Sequence, residues 1–339
     1  MTSPFDNGPR PRPRPRSSPS PSPSPSPRPI PRSRNRKILL GALILVSLAV
    51  ALGVGLGLGL NRAGDNNGND NTSPSTSTPN SASSSGSSST PTGSPTAKSL
   101  WKPEAGLSWQ IVLAYTLNDT TADTAVYDID LFTNSAATIA ALQAKRRRVI
   151  CYFSAGSYES FRPDSGQFHP SDYGKPLVGW RGENWLDTTS SNVHQIMLTR
   201  LDLALSKGCD GVDPDNVDGY DNDTGFNLSK ADAVNYMTFL AEAANSRKLS
   251  IGLKNAGGIV PLVLDKMQFA VNEQCVQYAE CKLFRPFVDA GKPVFHIEYP
   301  SGAPNVGAAT KTGLCSDISR KGFSTILKEM ELYNWLQAC

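Results

Sequence analysis

Asp210-Gly211-Val212-Asp213-Pro214-Asp215-Asn216 is a short apolar run that ends in carboxylates, and what flanks it decides the fold. Upstream, Val193, Met197, Leu201 and Ala204/Leu205 recur at helical spacing until Lys207-Gly208, a sensible C-terminal stop. Downstream, Ser229-x-x-Asp232 has the pattern of a capping box, and the helix it opens carries an apolar face through Tyr236/Met237, Leu240 and Ala244. A further run, residues 249–255, follows at once. The same pattern recurs at residues 110–114, 125–130, 148–155, 267–273, 293–299 and 322–328, with a third helical stretch at 136–145. Eight strand-like runs alternating with helices predict an α/β fold, a (β/α)8 TIM barrel. An open doubly wound sheet is the rival. It would carry a phosphate-binding glycine turn after its first strand, and residues 114–119 have none.

The 339-residue chain is uneven in charge. Residues 1–99 hold 11 Lys/Arg against Asp6, Asp65 and Asp70, a balance of +8. Residues 100–339 hold 22 basic and 27 acidic residues, a balance of −5, which argues against a nucleic-acid enzyme with a basic active face. Residues 1–37 are Arg-Pro and Ser-Pro repeats with almost nothing to bury, and read as a disordered cytosolic tail. Residues 38–60 form the single long apolar run, which excludes a polytopic membrane protein. Without one charge, they are long enough to cross about 30 Å of hydrocarbon and exceed the roughly 7–15 residues of a cleaved signal core. Arg32, Arg34, Arg36 and Lys37 precede this run, so the positive-inside rule makes it a type II signal anchor at the plasma membrane, with everything after residue 60 outside. Gly53/Gly57 and Gly55/Gly59 have small-xxx-small spacing, suited to a helix-dimer face or to a loosely packed helix end. Residues 61–99, rich in Ser, Thr and Pro, read as an exposed stalk carrying one monomeric domain, residues 100–339.

Outside placement gives the cysteines meaning, because an oxidising compartment lets them pair. Spacing favours Cys275–Cys281 and Cys315–Cys339, whereas Cys151 and Cys209 lie within or beside apolar runs and read as buried thiols. Asn71, Asn118, Asn222 and Asn227 fit the N-glycosylation pattern.

In a βα barrel the C-terminal strand ends form the active face, and here they are acidic. They bring Asp128 and Asp130, Asp213 and Asp215, Glu273, and Glu298, joined by Tyr152, Ser154, Asn216, Lys254 and Asn255. One acidic strand end is commonly a helix cap or a salt bridge; four on one rim point to chemistry. An EF-hand fails, because from Asp213 the sixth position is Asp218 where glycine is needed and the twelfth is Thr224. Three scattered histidines without an HExxH pattern argue against a zinc hydrolase, and no Gly-x-Ser-x-Gly elbow exists, so neither metal nor cofactor is expected. Carboxylate-only chemistry remains, with glycoside hydrolysis as the prime case. Trp180 and Trp185, in a polar loop after the third run, are candidates for stacking on sugar faces.

The ordered motifs Val126-Tyr127-Asp128-Ile129-Asp130, Cys151-Tyr152-Phe153-Ser154-Ala155-Gly156-Ser157, Asp213-Pro214-Asp215-Asn216, Gly252-Leu253-Lys254-Asn255-Ala256, Val271-Asn272-Glu273-Gln274-Cys275 and Ile297-Glu298-Tyr299 resemble glycoside hydrolase family 114, the endo-α-1,4-polygalactosaminidases. The resemblance covers roughly residues 100–334 and implies a TIM barrel hydrolysing α-1,4-linked galactosamine polymers such as galactosaminogalactan. The family's acidic pair falls by position on Asp215 and Glu273. Galactosamine is cationic near neutral pH, so Asp130, Asp213 and Glu298 are expected to hold its amine. Tyr152, Ser154, Asn216, Lys254 and Asn255 are expected to meet the rest of the sugar. Hydrolysis of another amino-sugar polymer, or polysaccharide binding by a non-catalytic barrel, are the alternatives.

Overall fold

The computed structural model describes residues 99–339; the tail, the apolar run, the stalk and the sequon at Asn71 lie outside the described residues. Among the described residues, no helix is long and apolar enough to cross a membrane. The strands, in chain order, are β1 (Trp109–Val112), β2 (Val126–Asp130), β3 (Arg148–Ser154), β4 (Ser157–Glu159), β5 (Tyr173–Pro176), β6 (Glu183–Leu186), β7 (Gly211–Asp215), β8 (Ser250–Lys254), β9 (Phe269–Glu273), β10 (Val294–Glu298), β11 (Ser324–Leu327) and β12 (Gln337–Ala338). Each of the eight apolar runs becomes a strand, ordered β1-β2-β3-β7-β8-β9-β10-β11, and every adjacent pair is parallel.

The sheet curls into a barrel-like form, and alternation along its strands sorts the buried residues between the inner and outer faces. Trp109, Ile111, Val126, Ile150, Phe269, Val271, Phe295, Ile297 and Ile326 pack together as one buried cluster inside the curl. The intervening residues, among them Tyr127, Ile129, Val149, Phe153 and Val212, form a second cluster with the helices. Gly252 makes room for the inner cluster, since a Cβ there would stand 2.3 Å from the Phe269 ring.

The helices that cover the outside are α1 (Ala136–Ala144), α2 (Ser191–Lys207), α3 (Lys230–Ser246), α4 (Val260–Val263), α5 (Arg285–Asp289) and α6 (Ala308–Cys315). Ser190 caps α2, and Gly208 ends it in the left-handed conformation at φ 87°. Ser229 and Asp232 close the capping box of α3. The expected faces are buried, through Val193, Met197, Leu201 and Ala204 in α2 and Tyr236, Met237, Leu240 and Ala244 in α3. Leu205 departs from that expectation and stands exposed.

No helix joins β1 to β2 among the described residues, and β11 is followed instead by the antiparallel β12. The seam between β1 and β11 is closed by other means. Trp109 Nε1 donates to the Ser324 carbonyl at 2.8 Å, Leu113 N donates to the Leu332 carbonyl at 3.1 Å, and Lys328 Nζ reaches Gln110 Oε1 at 2.8 Å.

The stretch after β3, expected as a polar loop, holds a three-stranded antiparallel sheet ordered β4-β6-β5. Cys275–Cys281 and Cys315–Cys339 are disulfides. Cys151 and Cys209 are not thiols: they form a third bridge, with Cα atoms 6.1 Å apart. Cys151 lies on β3 and Cys209 just before β7, and these two strands are neighbours in the sheet, which brings the sulfurs together. Asn118 and Asn227 are exposed, whereas Asn222 Nδ2 donates to the Asp218 carbonyl at 3.0 Å.

Candidate active site

Three adjacent strands deliver the site in the same way. β7 ends at Asp215, β8 at Lys254 and β9 at Glu273, and the next residue in each case takes a left-handed backbone: Asn216 at φ 61°, Asn255 at φ 51° and Gln274 at φ 59°. Asparagine tolerates that conformation better than most residues, which accounts for two of the three. Each turn leans on a neighbour: Asn255 N donates to the Val271 carbonyl at 2.8 Å and Gln274 N to the Ile297 carbonyl at 2.7 Å. The Asp215 carbonyl accepts from both Ala155 N and Gly156 N. Gly156 is required there, because a Cβ would fall 1.8 Å from the Asn216 carbonyl oxygen.

Lys254 is the centre. Its Nζ lies 3.6 Å from Asp215 Oδ2, 3.8 Å from Glu273 Oε2 and 3.8 Å from Asp213 Oδ2, over the face of Tyr152. Burial alone would strip its proton, but Asp215, Glu273, Asp213 and Asp128 together outweigh that and hold the ammonium more firmly than in an ordinary lysine. Asp215 Oδ2 accepts from Tyr152 OH at 2.9 Å, and Oδ1 from Asn216 N at 2.8 Å. Burial raises the Asp215 carboxyl above its usual range, Lys254 opposes the rise, and Glu273 adds to it. Glu273 Oε1 accepts from Tyr299 OH at 2.5 Å and Oε2 from Asn255 Nδ2 at 2.8 Å. Both tyrosines are pushed well above the ordinary phenol by burial first and then by the carboxylates they serve, so each stays a donor.

Beneath Lys254 lie two carboxyls absent from solvent, Asp128 and Asp213, none of whose oxygens has a hydrogen-bond partner outside the pair. Burial and the neighbouring Asp213 push Asp128 far above the usual range; burial also pushes Asp213 up, to about 7, against the pull of Lys254. Two like charges this deeply buried disfavour each other, so a proton held between the two carboxyls is the favoured state. In the cluster, exposure separates the roles: the Asp215 and Glu273 side chains are 17% and 23% exposed, while Asp213 is at 0%.

Several expected ligand contacts are turned elsewhere. Asp213 is sealed beneath Lys254, and Lys254 is itself buried. Asp130 is bound at 2.6 Å by Arg162, which also grips Glu159 at 2.8 Å, and it accepts from Phe132 N and Thr133 N. Glu298 sits on the opposite strand face, because β10 pairs Ile297, not Glu298, with Glu273. There it accepts from Val276 N at 2.8 Å and lies 2.9 Å from His296 Nε2. Ser154 is buried against Ser157 and Asn216 Nδ2, so Ser154 and Asn216 shape the turn. Tyr152 and Asn255 hold the carboxylates. Trp185 is buried, whereas Trp180 is 54% exposed, with Phe161 and Val178 exposed on the same excursion. Cys275, Cys281 and His296 offer ligand atoms close together, but the two sulfurs are joined.

The sequence places Asp128 on the acidic rim without giving it a role, and it leaves two further groups unassigned. Tyr299 was legible as the inward neighbour of Glu298. Glu183, on β6, had no signal. Its Oε2 accepts from Ser157 Oγ at 2.8 Å.

Compared with known proteins, the chain matches the sequence model of glycoside-hydrolase family GH114 over residues 90–339. It is similar to the crystal structure of Aspergillus fumigatus Ega3 in complex with galactosamine, at 55% identity and TM-score 0.69, covering 71% of this chain and 98% of that one. The glycoside hydrolase domain of PelA from Pseudomonas aeruginosa matches at 10% identity and TM-score 0.53 over 68% of this chain and 98% of that chain, a likeness of fold alone. No curated protein matches.

Proposed function

The chain belongs to glycoside hydrolase family GH114 and is a glycoside hydrolase, and from that premise we propose that it is an endo-acting enzyme cleaving α-1,4-linked galactosamine in polymers such as galactosaminogalactan. The observation that carries this reading is the pair Asp215 and Glu273, the cluster carboxylates within reach of a ligand, flanking one buried ammonium. Glu273, on the longer side chain, protonates the leaving glycosidic oxygen. Asp215 acts at the anomeric carbon, as nucleophile or by deprotonating a water. Tyr299 and Asn255 orient the acid, Tyr152 and the Asn216 amide orient the base, and Lys254 offsets the negative charge left when a proton moves. The galactosamine bound by the Aspergillus protein supports a cationic amino-sugar substrate here, as does the −5 balance of residues 100–339. The domain is further proposed to stand outside the plasma membrane on a type II anchor at residues 38–60.

Incubation of the protein with purified polysaccharides, followed by product sizing, tests the reading. Short galactosamine oligomers released from the deacetylated α-1,4 polymer are expected. Preferential cleavage of chitosan or of a fully N-acetylated polymer, or binding without turnover, would replace it with one of the alternatives.

A further inference from the structure

The expected amine holders Asp130, Asp213 and Glu298 are all closed to a ligand, which leaves the recognition of a sugar amine without a residue. One carboxyl on the rim fits. Glu183 begins β6 and stands directly across from Glu159 on β4. Arg162 is the cation of this corner, and it serves Glu159 at 2.8 Å and Asp130 at 2.6 Å. Glu183 itself makes no ion pair within 4.0 Å among the described residues, and its hydrogen bond is the neutral one from Ser157 Oγ. That bond ties it to the site: Ser157 Oγ meets Ser154 Oγ at 2.6 Å, and Asn216 Nδ2 donates to both serines, at 2.9 and 3.3 Å. Asn216 is the residue after Asp215. Glu183 is partly open to solvent.

A half-buried carboxylate with a second carboxylate opposite and no cation of its own is electrostatically uncompensated. Burial and then Glu159 push its carboxyl up to about 7, Ser157 opposes, Asp215 adds to the rise, and Arg162 opposes again. A ligand ammonium supplies what the fold withholds.

We propose that Glu183 is a substrate-binding carboxylate that receives one primary ammonium group of the sugar chain at the rim of the active site, next to Asp215. The proposal rests on the galactosamine reading above and assigns the amine selectivity of that reading to one residue. Glu183→Gln keeps the acceptor for Ser157 and removes the charge; Glu183→Asp keeps the charge on a shorter arm. Steady-state kinetics of the full-length chain and both variants are measured on deacetylated and on partly N-acetylated α-1,4-galactosamine oligomers, with thermal unfolding as the folding control. Glu183→Gln is expected to raise KM on the deacetylated oligomers by about tenfold or more, with the larger share of the loss in KM rather than kcat, and to shrink the preference for them over acetylated ones. Glu183→Asp is expected to retain part of that preference. Wild-type turnover with an unchanged preference in Glu183→Gln overturns the assignment while leaving the galactosamine reading intact. Equal losses on both substrates also overturn it. Absence of wild-type turnover on either substrate removes the galactosamine reading, and this proposal with it.

Discussion

At the scale of single residues, the site is an arrangement of protons around Lys254. Asp215 and Glu273 are the proposed reacting pair, and Asp215→Asn and Glu273→Gln keep their shape and most of their hydrogen bonds. Each is expected to fold with near-parental thermal unfolding and to lose about 10²–10⁴-fold in kcat, the usual weight of a positioned acid or base. Near-normal turnover in either variant removes that residue from the chemistry. Asp128 acts differently, because it meets only Asp213 and the underside of Lys254. In the folded chain this pair keeps protons that the unfolded chain has already released above its ordinary carboxyl range near 3.8. Their contribution to stability therefore falls as pH rises from about 4 toward the value near 7 at which Asp213 ionises. Asp128→Asn supplies a permanent donor to Asp213 and removes one titrating group. Its unfolding temperature is expected to decline less than the parent's between pH 4 and pH 7, which a thermal melt series measures directly; a parallel decline would mean that the two carboxyls do not share a proton.

Elements explain what could be read in advance and what could not. The barrel strands are buried on both faces, so each appears in the sequence as an apolar run, and all eight were legible. Helix caps at Ser229/Asp232 and Lys207-Gly208 were legible because capping chemistry is local. Strand face was not. Glu298 and Tyr299 are adjacent, and only the register with β9 decides that Tyr299 enters the barrel while Glu298 leaves it; a shift of one residue reverses the choice. The β4-β6-β5 sheet escaped notice because its strands are three or four residues long, too short to show a period. Cys151 looked like a core thiol because strand burial hides the partner, 58 residues away. That loop length has an energetic consequence. By the chain-entropy argument, closing it contributes about 4 kcal/mol, against about 2 kcal/mol for the six-residue separation of Cys275–Cys281. Paired Cys151→Ala/Cys209→Ala is thus expected to lower the denaturant midpoint more than Cys275→Ala/Cys281→Ala. The latter pair should instead reduce kcat first, since Cys275 lies two residues beyond Glu273. Equal losses of stability would contradict the comparison.

Across the whole molecule, the charge division in the sequence has a kinetic meaning. An acidic domain and a cationic polymer attract over a screening length of about 8 Å at physiological salt. Raising salt to several hundred millimolar is expected to raise KM severalfold while changing kcat little; a flat profile would show that the acidic balance plays no part in capture. The topology expected from residues 38–60 predicts that the full-length protein expressed in a eukaryotic cell shifts to higher mobility on enzymatic deglycosylation, with Asn118 and Asn227 as the open acceptors. Failure to shift, with the domain protected inside the cell, would reverse the orientation. The seam of the barrel carries a different implication, one that concerns the growing chain. Residues 109–113 close against residues 324–334, so their partners lie more than 200 positions later. At about 5–20 residues per second, the β1 edge of a nascent chain waits roughly 10–40 s for its neighbour to be translated. Throughout that interval the growing chain displays an open sheet edge at β1, the kind of unpaired edge that invites pairing with other chains until its own neighbour arrives.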